Sequence, residues 1–69
     1  MNVMDPEEIL RTELAALREE HRRLDVEITE LAESPLADQL ALRRMKKEKL
    51  ALKDRIVRIE DQLYPDIIA

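Results

Sequence analysis

Leucine and isoleucine recur along this chain at steps of three and four. In the first half they fall at Leu10, Leu14, Leu17, Leu24, Ile28 and Leu31. These are heptad positions, with Leu14 and Ile28 at a and Leu10, Leu17, Leu24 and Leu31 at d. The long step from Leu17 to Leu24 skips one a position, and His21 occupies it. The second half repeats the pattern at Leu42, Met45, Leu52, Ile56, Ile59 and Leu63, with Lys49 at its polar a position. Each half predicts one amphipathic helix.

Glu33-Ser34-Pro35-Leu36 interrupts the pattern. Pro35 has no N–H and would clash with the preceding turn of a continuous helix. Ser34 as N-cap and Pro35 as first residue suit the start of a new helix. The expected organisation is a single domain over residues 1–69, with a first helix over about 5–33, a turn over 33–35, a second helix over about 35–63 and an apolar tail over 64–69. The first helix has a full start signal in Asp5, Pro6 and Glu8, with Met4 and Ile9 placed for a hydrophobic staple. Tyr64 precedes Pro65, which disfavours helix there. The heptad frame runs through the interruption unshifted, so register alone also admits one kinked helix.

An antiparallel hairpin folded near Leu36 puts Leu10 beside Leu63, Leu14 beside Ile59 and Leu17 beside Ile56. His21 then faces Leu52, Leu24 faces Lys49, Ile28 faces Met45 and Leu31 faces Leu42. Each layer keeps an apolar member. The same register pairs Arg11 with Glu60, Asp25 with Lys46 and Glu20 with Arg55, but sets Arg18 against Lys53 and Glu27 against Glu48. Residues 5–33 carry ten acidic and four basic residues and residues 35–63 five acidic and eight basic, so the halves attract.

Composition narrows the class. The chain has 69 residues, no glycine, no cysteine and one aromatic residue, Tyr64. Without glycine a hairpin-rich β fold is disfavoured, and the Ala, Leu, Glu, Lys and Arg content is that of long helices. Ordering a residue costs about 1.5 kcal/mol and apolar burial returns about 25 cal/mol per Å², terms that nearly cancel in so short a chain. No disulfide adds stability, so association is expected. The fold class is all-α: an antiparallel two-helix coiled-coil hairpin assembling into a four-helix bundle or larger oligomer. Leu40, Leu50 and Val57 lie off the seam and are the expected oligomer face. No run approaches the roughly 20 apolar residues of a membrane span, and Met1–Pro6 lacks a basic and apolar leader pattern. The expected location is the cytoplasm, with no membrane partner.

The stretch His21-Arg22-Arg23-Leu24-Asp25-Val26-Glu27-Ile28, followed by Arg44-Met45-Lys46-Lys47-Glu48-Lys49-Leu50-Ala51-Leu52-Lys53-Asp54-Arg55-Ile56, resembles the YdcH-like family of small bacterial proteins. The likeness rests on a histidine with leucine-aspartate three residues on, then isoleucine, a turn, and a KK-x-KL-x-LKD run. It covers about Leu17 to Leu63, and the closing Tyr-Pro-Asp-Ile-Ile-Ala is similar to the tail of many members. The resemblance implies a coiled-coil domain of unknown function.

Three groups of residues are candidates for function. His21 and Asp25 are i and i+4 on one helix face, with Lys49 across from Leu24. This is a polar seam layer of the kind that sets register and oligomer number, or a pH-sensitive or anion-binding spot. Two ligands fall short of the three or four that zinc takes, so no metal or cofactor is expected. Arg43, Arg44, Lys46, Lys47 and Lys53 offer phosphate contacts, set against an acidic chain with no interleaved aromatic, in which this face is expected to pair with the first helix. The Ile67-Ile68-Ala69 end suits either capture by a partner or packing near Val3 and Met4. No catalytic residue is assigned, since a thin hairpin lacks a concave site. The expected function is a non-enzymatic interaction or adaptor module that binds itself and an unknown protein partner. The alternative is a nucleic-acid-associated protein using the second helix.

Overall fold

The computed structural model describes residues 5–65. Its two helices are α1, Pro6–Glu33, and α2, Gln39–Leu63. They pack against each other as an antiparallel hairpin. The single kinked helix that register admitted is therefore not formed.

Local chemistry explains each helix end. Asp5 accepts from the Glu7 N–H at 3.1 Å, with Pro6 at the first helical position. This satisfies one of the unpaired donors at the helix start. At the far end α2 stops at Leu63, where the Tyr64 N–H still reaches the Glu60 carbonyl at 2.7 Å. Pro65 cannot continue the ladder. The Met4 staple and the Ile67–Ala69 tail lie outside the described residues.

The turn differs from the expected one. Ser34 does not cap α2; it ends α1 in an extended conformation, its N–H bonded to the Leu31 carbonyl at 3.1 Å. Ser34 to Ala37 form a turn closed by the Ala37 N–H on the Ser34 carbonyl at 3.2 Å. Pro35 takes the second position, where its fixed φ is favourable. The Ser34 hydroxyl accepts from the Leu36 N–H at 3.3 Å inside that turn. Helix α2 starts at Gln39, not Pro35, because Asp38 caps it. One Asp38 carboxylate oxygen accepts from the Leu40 and Ala41 N–H groups at 2.9 and 3.3 Å. A carboxylate there also interacts well with the positive end of the helix dipole.

The seam is where the heptads place it. The buried residues are Leu14, Leu17, Ile28, Leu42, Leu52, Ile56 and Ile59, all of them a or d positions. The remaining seam residues from Leu10 to Leu63, His21 and Lys49 included, are half-buried. Leu14, Leu17, Leu52, Ile56 and Ile59 form one cluster, with Leu10, Leu24 and Leu63 against it. Ile28 and Leu42 are buried apart from that cluster, nearer the turn. The fully buried residues thus fall in two groups, with half-buried Lys49 between them along α2.

Candidate functional site

Lys49 and Asp25 meet between the two buried groups. The Lys49 ammonium donates to Asp25 Oδ1 at 2.6 Å. Lys46 was the expected partner. A helical Cα–Cβ bond leans toward the helix N-terminus. Asp25 therefore leans toward the level of Lys49 and away from that of Lys46. The hydrogen bond and charge of Lys49 hold the Asp25 carboxyl below its ordinary value of 3.8, and His21 one turn away adds a smaller pull. His21 is half-buried on the same face of α1. The three residues named for the polar layer are therefore neighbours. The layer is wet, since Asp25 and Lys49 keep about 53% and 36% of their side-chain surface. No charged or polar residue is buried among the described residues. This arrangement links the helices at one level and leaves water free to reach the pair.

The same leaning of side chains explains Arg18. The register sets it opposite Lys53, yet it bonds Glu60 at 2.7 Å across the helices. Arg18 leans toward the α1 N-terminus and Glu60 toward the α2 N-terminus, so across the antiparallel pair they approach each other. Arg11 bonds Glu7 on its own helix instead of Glu60, and Arg55 lies 3.6 Å from Glu13 instead of pairing with Glu20, a reach against that lean.

The basic face of α2 pairs with α1 in part, through Lys49 and Arg55. Arg43, Arg44, Lys46, Lys47 and Lys53 make no ion pair among the described residues. All five are exposed. They are the solvated part of that face.

The expected oligomer residues are all on the surface. Leu40 and Leu50 are each 71% exposed and Val57 40%. Sequence reasoning missed Tyr64, which is 42% exposed and continues the same row. Its seven-residue spacing from Val57 was the available signal. Opposite the polar layer, an open groove of about 410 Å³ runs between the helices, with Leu24, Ala51 and Leu52 along it and Glu20, Glu27, Glu48, Arg23 and Arg55 at its edges. Among the described residues no group of three or more His, Cys, Asp or Glu gathers to hold a metal ion. None of the described helices is long and apolar enough to cross a membrane.

These features define a class: a two-helix antiparallel hairpin with one hydrophobic seam and a second, exposed apolar row. The chain belongs to the family described as "Protein of unknown function (DUF465)", whose model matches residues 14–60. The YdcH-like family is a family of that description. The matched span takes in the polar layer, the turn and the basic run. No curated protein and no solved structure matches the chain.

Proposed function

We propose that this protein is a non-enzymatic interaction module that works through the faces of its hairpin, binding itself and other proteins. The supporting observation is the row of exposed apolar residues on α2, Leu40, Leu50 and Val57. A hairpin already has its seam filled, so these side chains add nothing to the fold within one chain. Exposed apolar residues aligned on one face are a feature of contact surfaces. The open groove supports the same reading, because chemistry needs groups converging on an enclosed point.

A photo-crosslinking side chain in place of Leu50 tests this in the native cell. The same group in place of Glu30, on α1, is the control. Discrete protein adducts at Leu50 and none at Glu30 are expected. Equal labelling at both positions, or none at Leu50, would overturn the reading.

The unpaired cations favour a second reading, in which Arg43, Arg44, Lys46, Lys47 and Lys53 contact nucleic-acid phosphates. Against it stands the chain's net charge of −4. Retention on nucleic acid that falls steeply with salt supports this second reading, since each released counterion steepens the dependence.

A further inference from the structure

The back of α2 carries a second heptad row. Leu40, Arg43, Lys47, Leu50, Asp54, Val57, Asp61 and Tyr64 follow one another at alternating steps of three and four. These are the b and f positions of the first frame, turned away from α1. Of the large apolar residues exposed in the structure, Leu40, Leu50, Val57 and Tyr64 all lie on this row. Its charges are sorted by sign. Arg43 and Lys47 occupy the N-terminal half, and Asp54 and Asp61 the C-terminal half. Within the described residues Arg43, Lys47 and Asp61 make no ion pair. Asp54 meets only Arg58 of its own helix, at 3.1 Å on an exposed surface.

We infer that this row binds a second copy of the chain, α2 against α2, antiparallel about a two-fold axis near the middle of the helix. The inference rests on the interaction-module reading and names one partner for it. A two-fold axis makes a surface its own complement. Antiparallel overlap of the two helices centres between Leu50 and Asp54. Leu40 then faces Tyr64 of the second copy, and Arg43 faces its Asp61. The aliphatic stem of Lys47 covers Val57 of the second copy, which leaves the ammonium free to reach Asp54 one turn away. A parallel pairing would set Arg43 against Arg43 and Asp61 against Asp61, and like charges facing each other are strongly disfavoured. Sorted charge therefore selects the antiparallel second copy. Two hairpins joined this way make a four-helix assembly with α2 helices at its centre.

Charge reversal by halves tests the inference without touching the seam. One variant carries Arg43→Glu with Lys47→Glu, and the other Asp54→Lys with Asp61→Lys. All four positions are exposed. None of the four is in the seam, so both variants should fold, as circular dichroism will check. Light scattering on wild type should give twice the 8.1 kDa chain mass. Each variant alone should lose about tenfold or more in dimer affinity, because like charges replace every opposite pair. An equimolar mixture of the two should recover the dimer, since opposite charges then meet again. A wild-type monomer, single variants that dimerise as wild type does, or a mixture that fails to recover would each overturn the inference. In those cases adducts at Leu50 to other proteins would leave the module reading standing, and their absence would remove both.

Discussion

At the residue scale the polar layer is the informative feature. Its members are half-exposed, so they are held by geometry more than by exclusion of water. Asp25 is pulled down by Lys49, and the sign of its effect on stability follows. A carboxyl with a folded value below its unfolded one stabilises the fold fully above the ordinary value of 3.8. That contribution fades as pH falls through the lowered value. Thermal melting of wild type and Asp25→Asn between pH 2 and 7 should therefore show a constant gap near neutrality. The gap should close on the acid side. A gap independent of pH would mean that the bond to Lys49 is not formed in solution. Exposed pairs of this kind contribute little each, so the shape of the profile is the readout.

At the element scale the caps decide where the helices lie. Ser34 had the right chemistry for an N-cap, and Pro35 after it reinforced the reading. Asp38 won because its carboxylate serves two N–H groups of α2, while Pro35 is equally suited to the turn that Ser34 opens. Asp38→Ala should cost about 1 kcal/mol of hairpin stability, the usual range for losing such a cap. Ser34→Ala, which removes only a bond within the turn, should stay within about 0.5 kcal/mol. Denaturant melts of the two variants give the comparison. The reverse order of costs would return the start of α2 to Pro35.

At the scale of the whole molecule the hairpin has one thin seam, with a wet layer along it. Among the described residues seven are buried in it. Such a core leaves little margin over the entropy of ordering the chain. Pairing through the outer row of α2 would couple stability to concentration, because association favours only the folded chain. Raising the concentration from about 1 to 100 µM should lift the melting temperature by about 5 °C or more, as expected for a small dimeric domain. A melting temperature independent of concentration would count against self-association by any surface.

Heptad spacing was enough to read the two helices and the residues of the seam, because a periodic apolar stripe has one side to bury. Leu14, Leu17, Leu52, Ile56 and Ile59 were legible on that ground alone, and so was the unusual position of His21 and Lys49. The turn and the charge pairs were not. Which of Ser34 and Asp38 caps α2 is a competition between two local structures, settled by the two N–H groups that the Asp38 carboxylate serves. The choice of Lys49 over Lys46 by Asp25, and of Glu60 by Arg18, depends on the direction in which side chains lean across an antiparallel pair. Sequence spacing records which residues share a level of the hairpin, but long side chains reach beyond their own level. Only the packed helices decide which charges meet and which are left facing outward.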